Sequence, residues 1–242
     1  MTDTLALARL EVKRLVLRVR GYLILTVALP VALYLAVGRL HGTANGVPNA
    51  GYYMVAMASL GAFTCALTSN AVRIAQERKD GWTRQLRLTA LPAGSYVAAK
   101  VIASTVTVLP AIVIVLALGR LYGGVRLPGW EWPVIGAVVL LAAIGFSALA
   151  VAIGYRFMPD QAQPITMIIY FAMILLGGLL FPLSGFIATI GKVLPTYQVA
   201  RIGSDVISSG TVPVSAIAVI LGWLAAFTAL AVLAVRSTAE TR

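Results

Sequence analysis

Long apolar stretches without Asp, Glu, Lys, Arg or His alternate along this chain with short segments that hold its charges. Six of these stretches are long enough to cross about 30 Å of hydrocarbon, which takes roughly 17–25 helical residues. Because backbone in hydrocarbon must satisfy its own hydrogen bonds, we predict an all-α integral membrane protein with six transmembrane helices. The predicted spans are residues 21–38, 101–119, 132–155, 161–191 and 206–235, and a further one lies within residues 42–72, where the apolar part begins near Gly51.

The segment before the first span, residues 4–20, has apolar and basic positions on opposite sides of a helical pattern. Apolar side chains recur from Leu5 to Val19, and basic side chains lie between them from Arg9 to Arg18. This pattern predicts an amphipathic helix in the membrane interface, with its basic side toward the lipid headgroups. A solvated basic lead-in without a fixed position is the alternative.

The connection between the second and third spans, residues 73–100, is much longer than a simple turn. Charges surround Gly81, and the apolar side chains of Trp82 and Leu86 follow in a mostly polar stretch. We predict a short helix between Gly81 and Thr89, ended by the proline that comes soon after. Apolar side chains on a solvated helix are typical of docking into a partner's groove, and packing on its own membrane domain is the alternative.

The fifth apolar stretch has 31 residues, which is more than one span needs. Two pairs of helix-interrupting residues, Gly177-Gly178 and Phe181-Pro182, lie inside it. They favour a full span that ends near Gly177, followed by a broken segment over residues 178–200 that re-enters the membrane. Irregular backbone at that depth must be buried in protein or face water. A long tilted helix with an ordinary loop is the alternative.

Composition favours a membrane protein over a nucleic-acid-binding protein. The chain is 60% hydrophobic and only 11% charged, whereas soluble domains have about 45–50% apolar and 25% charged residues. So few polar residues could not cover the surface of a soluble core. The net charge of +11 is therefore better explained by lipid headgroups and membrane orientation than by nucleic acid.

The basic residues are distributed unequally between the two sets of connecting segments. Fourteen of the 19 Lys and Arg residues belong to the N-terminal segment, the second and fourth connections and the C-terminus. Basic residues are enriched on the cytoplasmic side of membrane proteins. We therefore predict a multi-pass protein of the cell membrane whose N- and C-termini are both cytoplasmic.

Residues for catalysis, metal binding and ion coupling are sparse. No predicted span contains Asp, Glu, Lys, Arg or His, which argues against an ion-driven carrier. The single histidine, His41, lies in a short connection, and the single cysteine, Cys65, lies in an apolar run. The nearest approach to a phosphate-binding loop is Gly191-Lys192, which lacks the required Ser or Thr and the earlier Gly. We predict that the chain is not itself an enzyme and binds neither a cofactor nor a metal.

Two motifs resemble those of the membrane permeases of type-2 ABC exporters, the class that includes daunorubicin-type drug permeases. The first lies in the second connection, although Ala90 stands where the family usually has proline; its matching residues are Glu77, Arg78, Gly81, Leu86 and Thr89, with Lys100 opening the third span. The second resembles the family's re-entrant signature; its residues are Gly177, Gly178, Phe181, Pro182, Pro195, Thr196 and Tyr197.

The resemblance implies a half-transporter in which residues 1–242 form a single permease domain. Two permeases, identical or paralogous, would pair in the bilayer and dock on two separate ABC ATPase subunits, which would bind the ATP and magnesium. Residues 77–91 would form the cytoplasmic coupling helix region, with residues 4–20 as a second contact. The residues expected to couple to the ATPase are Glu77, Gly81, Trp82, Leu86 and Thr89.

The transport path is marked only by weakly polar residues. Thr64 and Thr68 belong to a small-residue face of the second span, and such faces more often pack helices than contact substrate. With Phe181, they are the candidate pathway residues, and the absence of charge favours a hydrophobic or amphipathic cargo such as a drug or lipid. A stand-alone channel or ion-driven carrier, and a non-transporting assembly or immunity protein, are the alternative functions.

Overall fold

The computed structural model describes residues 20–81, 93–181, 183 and 185–240, which are almost entirely helical. A two-stranded antiparallel hairpin, β1 (Thr43–Ala44) and β2 (Val47–Pro48), joins the first two helices. The helices are α1 (Arg20–Val37), α2 (Asn49–Lys79), α3 (Ala93–Leu121), α4 (Glu131–Arg156), α5 (Pro159–Leu176), α6 (Gly185–Gly191), α7 (Pro195–Ser209) and α8 (Val214–Glu240). The predicted amphipathic helix over 4–20 lies almost wholly outside the described residues.

Four helices in the described part of the chain are long and apolar enough to cross a membrane: α2, α3, α4 and α8. The described apolar part of α1, Val27–Val37, is shorter. Helix α5 begins with a polar turn that contains Asp160 and Gln161. An all-α membrane protein is therefore confirmed, and the count of six spans stays a prediction.

Helix α4 runs through the middle of the bundle and packs against α2, α3 and α8. The Phe146 ring is buried between two other rings, with centroids 4.6 Å from Phe63 of α2 and 6.0 Å from Phe227 of α8. Near the end of α4, a Cβ atom on Gly154 would lie 2.7 Å from the Ile74 Cβ atom. The absence of a side chain at Gly154 thus lets α2 and α4 approach closely, as small residues do in membrane bundles.

The start of the last membrane helix differs from the prediction. The charge-free stretch begins at Val206, but residues 206–209 form the end of α7, and α8 begins only at Val214. Gly210 has a left-handed backbone conformation with φ of 63°, which ends α7. Pro213 immediately precedes α8. The predicted boundary is wrong because freedom from charge does not show where a helix is broken.

Large apolar side chains are exposed along the outer faces of several helices. They include Leu29 of α1, Val113 of α3, Ile168 and Phe171 of α5 and Leu233 of α8. In water such a surface would drive aggregation. These helices therefore fit a bilayer environment, in which apolar side chains face lipid or another membrane subunit.

A serine pair joins α3 to α4 and allows a direct test of the packing. The Ser104 and Ser147 Oγ atoms lie 2.6 Å apart, and both side chains are buried. We expect a double-mutant cycle with Ser104→Ala and Ser147→Ala to give a coupling energy of about 0.6 kcal/mol, the typical size of a hydrogen bond between membrane helices. Reversible unfolding in mixed detergent would measure it.

The matched control cycle pairs Ser104→Ala with Thr228→Ala. Thr228 is exposed on α8 and donates its hydrogen bond to Leu224 of its own helix. This pair should show no coupling. Equal coupling energies in the two cycles would contradict the assignment of the Ser104–Ser147 contact.

Candidate functional site

A buried ion pair joins α2 to α3 at the end of the bundle where α2 ends and α3 begins, called here the Glu77 end. Glu77 lies in the last turns of α2, and its Oε2 atom is 2.5 Å from the Lys100 Nζ atom. The side chain of Lys100 is 2% exposed and that of Glu77 is 13% exposed. Arg73 places a second cation 4.0 Å from the same carboxylate. An ammonium buried this deeply needs such a partner, since isolated charges are costly to bury.

Arg78 ties the end of α2 to the end of α4. Its guanidinium donates hydrogen bonds to the carbonyl oxygens of Tyr155 and Phe157, the latter at 2.7 Å. These carbonyls lie in the last turn and cap of α4, where a helix leaves its acceptors without internal partners. A cation at a helix C-terminus also interacts favourably with the helix dipole. Through Glu77 and Arg78, the end of α2 is therefore fixed to both α3 and α4.

The chain turns sharply directly after these contacts. Helix α2 ends at Lys79, and Gly81 has φ of 80°, a conformation that favours glycine. The predicted residues Trp82, Leu86 and Thr89 lie outside the described residues, as does the predicted helix that would carry them. Glu77 belongs to α2 itself, so the described part of residues 77–91 continues a membrane helix before the turn.

The middle of α2 is a π-helical segment, Thr64–Ser69. The Thr64 Oγ1 atom lies 2.6 Å from the Tyr170 hydroxyl oxygen of α5 and 2.7 Å from the Leu60 carbonyl oxygen. The Thr68 side chain is buried, and its hydroxyl has no hydrogen-bond partner among the described residues. π-Helical turns inside α-helices occur frequently at functional sites. The structure thus places Thr64 and Thr68 in one irregular, weakly polar segment of α2.

Phe181, the third candidate pathway residue, belongs to a different part of the fold from these threonines. It follows the end of α5 and is 66% exposed. The threonines, by contrast, belong to the middle of α2. The structure therefore places Thr64 and Thr68 in one segment of α2 and does not bring Phe181 into it, and the pathway role of all three residues stays a prediction.

The opposite end of the bundle, called here the Gly177 end, contains the break in the fifth apolar stretch. Helix α5 ends at Leu176, and Gly178 takes the left-handed conformation with φ of 65°. The Thr196 hydroxyl of α7 donates to the Met173 carbonyl oxygen at 2.6 Å. The Tyr52 hydroxyl of α2 donates to the Gly178 carbonyl oxygen. A single long helix across the whole stretch is therefore excluded, and α2, α5 and α7 meet at the break.

The other residues of the predicted re-entrant signature form the start of α7. Pro195 is the first residue of α7, a position where its missing N–H costs nothing. Tyr197 lines a pocket beside the break. Pro182 lies outside the described residues. The segment after α5 is thus a turn, the short helix α6 and then α7, and its depth in a membrane stays a prediction.

Several residues of these sites were not found from the sequence. The hydroxyls of Tyr52 and Tyr170 were missed, although a phenol in an apolar helix must find a partner and so signals a contact. Lys100 was noted only as a family match, and its partner Glu77 lies 23 residues away. Among the described residues, no group of three or more His, Cys, Asp or Glu side chains could hold a metal ion.

Two comparisons with known proteins match a region of the chain that includes both ends of the bundle. Residues 38–236 match the model of a family described as ABC-2 family transporter protein. A protein of Bacillus subtilis (strain 168), YvfS, whose name describes it as a transport permease, is 25% identical over 224 residues. The alignment covers 90% of this chain and 90% of that protein. The matched region includes the Glu77–Lys100 ion pair, the π-helical segment and the break after Leu176.

Proposed function

The chain belongs to the ABC-2 family of transporter proteins, and from this premise we propose that it is the permease subunit of an ATP-driven exporter. Membership of the family makes it a membrane component of a transporter rather than an enzyme in its own right. The finer proposal is that a separate ABC ATPase subunit drives export of a hydrophobic or amphipathic substrate. The ATP and magnesium would be held by that subunit.

The observation that carries this proposal is the double attachment of α2 at the Glu77 end. Residues 82–92 link Gly81 to α3 in the sequence, and α2, which precedes them, is joined to α3 by the Glu77–Lys100 ion pair. Arg78 joins the same end of α2 to α4. A force applied to this connection would therefore move three membrane helices together. Contacts of this kind would let a local binding event shift several packed helices together.

The orientation follows from the distribution of basic residues. Most of the Lys and Arg residues of the sequence belong to the termini and to the connections on the side of Glu77, so we place the Glu77 end on the cytoplasmic side, with both termini. The Gly177 end then lies on the outer side, and residues 178–200 form an outer re-entrant segment. In this arrangement α1 and α5 also cross the membrane, with their flanking polar turns at its surface. Together with α2, α3, α4 and α8 they make six spans.

The coupling surface for the ATPase is proposed to be the connection between α2 and α3. Glu77 and Gly81 position its start, and Trp82, Leu86 and Thr89 would contact the ATPase. Closure of an ATPase dimer on ATP would push two such connections together, one from each of two paired permeases. The partner permease would be either a second copy of this chain or a paralogue.

The transport path is proposed to run past the π-helical segment of α2. Thr64 and Thr68 supply weakly polar groups there, and the buried Thr68 hydroxyl lacks a partner in the described structure. A path of this kind suits an apolar or amphipathic cargo, because such a cargo does not need a charged partner. An essential charged contact mapped inside the spans would contradict it.

A direct test is to purify the tagged chain from membranes in mild detergent and identify the proteins that accompany it. We expect a stoichiometric soluble ATPase, and its recovery should fall about tenfold in the double variant Trp82→Ala/Leu86→Ala, since apolar anchors dominate such contacts. The matched control is Leu121→Ala/Trp130→Ala, which removes two exposed side chains at the Gly177 end. That variant should retain the ATPase.

The remaining outcomes separate the alternative functions. A chain that is recovered alone, under conditions that preserve other membrane complexes, would contradict ATP coupling and leave a channel or ion-driven carrier. An ATPase that binds but is never stimulated by any candidate cargo would favour a non-transporting assembly or immunity protein.

A further inference from the structure

A polar pocket opens beside the break in α5, at the Gly177 end of the bundle. Its volume is about 160 Å³, enough for a group of several non-hydrogen atoms rather than a single ion. Three elements form its walls: the β1–β2 turn, the Gly177-Gly178 reversal and one face of α7. The polar side chains that line it belong to Asn45, Tyr197, Arg201, Ser204 and Asp205.

One of these side chains is buried without a partner. Ser204 is 7% exposed, and its hydroxyl makes no hydrogen bond among the described residues. A buried hydroxyl without a partner is costly and rare in folded proteins. Ser204 belongs to the lining of the pocket, but its oxygen has almost no accessible surface, so a bound molecule would supply the missing hydrogen bond only after the side chain rotates toward it.

The charges at the pocket are of both signs and only loosely paired. The Arg201 Nε and Asp205 Oδ2 atoms are 3.6 Å apart, which is beyond hydrogen-bond distance. Their side chains are 45% and 37% exposed. Each group therefore keeps hydrogen-bonding capacity for a ligand: the guanidinium for an anion and the carboxylate for an ammonium group.

Helix α6, whose last residue Gly191 lies close to the pocket-lining residues Leu183 and Tyr197, has an exposed apolar surface. Helix α6 exposes Phe186, Ile187 and Ile190, and Val193 follows it, with exposed fractions between 45% and 78%. The link between α6 and α7 is fixed to α8, because Trp223 Nε1 donates to the Val193 carbonyl oxygen at 2.7 Å. A polar pocket beside an exposed apolar helix surface matches an amphiphile with a compact polar head and apolar chains.

We propose that this pocket binds the phosphoethanolamine headgroup of an outer-leaflet phospholipid, with its acyl chains along the exposed side of α6. The phosphate would accept hydrogen bonds from Arg201 and Ser204, and the ammonium group would donate to Asp205. The placement on the outer leaflet rests on the orientation given under the proposed function. The loose Arg201–Asp205 pair would open to take one charge of the headgroup on each residue.

The charges of the pocket distinguish this ligand from other lipids. A purely anionic headgroup such as phosphatidylglycerol would satisfy Arg201 but leave its negative charge near Asp205 without a partner. Phosphatidylcholine carries both charges, but its methylated ammonium cannot donate a hydrogen bond to a carboxylate. Phosphatidylethanolamine supplies a phosphate acceptor and an ammonium donor together, as the pocket requires.

The test is native mass spectrometry of the full-length permease with its accompanying subunits, in detergent micelles that contain equal amounts of the three lipids. We expect one phosphatidylethanolamine per permease to be retained preferentially. Retention should fall about tenfold or more in Arg201→Gln and in Ser204→Ala, since each removes one hydrogen bond to a charged group. Asp205→Asn should abolish the preference over phosphatidylglycerol while keeping lipid binding.

Matched controls are Arg120→Gln, an exposed basic residue at the same end outside the pocket lining, and Ser208→Ala, an exposed serine of α7. Both should leave retention unchanged. Ser204→Ala also separates lost binding from misfolding. It removes an unpartnered hydroxyl without changing the packing, so the melting temperature of this variant should not fall. Equal retention of the three lipids, or retention unaffected by the pocket variants, would overturn the proposal and indicate general boundary lipid.

Soluble sn-glycero-3-phosphoethanolamine distinguishes a lipid from a free headgroup. It should compete weakly, because it lacks the acyl chains. Displacement of bound lipid by this probe at equal concentration would overturn the role given to α6. The same spectra count the ATPase subunits, so selective lipid retention without an ATPase would refute the proposed function alone. An ATPase with unselective lipid would refute this inference alone.

Discussion

Replacing Lys100 with methionine should lower the free energy of unfolding by about 3 kcal/mol and abolish stimulated ATP hydrolysis. The substitution leaves the Glu77 carboxylate, 13% exposed, without the ammonium group that lies 2.5 Å from it. Breaking a buried ion pair by removing one partner typically costs roughly 3–5 kcal/mol. We choose the lower end of this range because Arg73 is 4.0 Å from the same carboxylate. Detergent unfolding and ATPase assays of the purified complex would measure the two effects.

The double variant Glu77→Leu/Lys100→Met separates stability from coupling. Both charges are then absent, so we expect most of the lost stability to return, as apolar replacements of buried ion pairs often are tolerated. ATP hydrolysis should still fail to drive transport if the pair positions the coupling segment. The control Lys79→Met changes an exposed lysine of the same helix end and should have little effect. Recovery of both stability and transport in the double variant would show that the pair has a structural role only.

Replacing Gly177 with alanine should be the second severe change, with a loss of about 3 kcal/mol in the free energy of unfolding. A Cβ atom there would lie 2.0 Å from the Thr196 Oγ1 atom and 2.6 Å from the Thr196 Cβ atom. Thr196 would have to move, and its hydrogen bond to Met173 would be lost. The apparent melting temperature in detergent, followed by size-exclusion chromatography, would report the loss.

Two further substitutions give this prediction its controls. Gly222→Ala changes a glycine of α8 whose Cβ position is open, so its melting temperature should stay the same or rise slightly. Thr196→Val keeps the shape of the threonine but removes its hydroxyl, so it should cost about 1 kcal/mol for the hydrogen bond alone. If Gly177→Ala proved no more harmful than Thr196→Val, close packing at the break would not be what requires glycine.

The helices were predictable because hydrocarbon imposes a simple rule on the chain. Ionisable residues cannot enter the apolar layer cheaply, so the intervals between charges located the apolar part of every long helix of the described structure. They did not give the full lengths, because α2 continues past Val72 to Lys79 and α3 begins at Ala93, before Lys100. The same rule failed at Val206, because Gly210 and Pro213 end a helix without adding charge. The break after Leu176 was predictable because adjacent glycines lower helix stability directly.

The contacts of the candidate sites were only partly predictable. Glu77 and Gly81 were identified through a motif, but the sequence does not show that the Glu77 carboxylate reaches Lys100 across the intervening connection. The contact between Thr64 and Tyr170 spans 106 residues, and only the packing of α2 on α5 brings the two hydroxyls together. Similarly, Ser204 is one of many serines in the sequence, and its burial without a partner is visible only once the pocket walls are in place.

The π-helical segment also sets the direction, around the helix axis, in which the side chains in the last turns of α2 point. An α-helix advances 100° per residue, so the additional residue of a π-turn rotates everything beyond it by about that angle relative to an uninterrupted helix. Asn49–Phe63 and Asn70–Lys79 are therefore out of phase with each other. This offset allows Arg78 to point at the end of α4 while Thr64 faces α5. The length of the Thr64–Ser69 segment thus sets the direction in which Glu77 and Arg78 point toward α3 and α4.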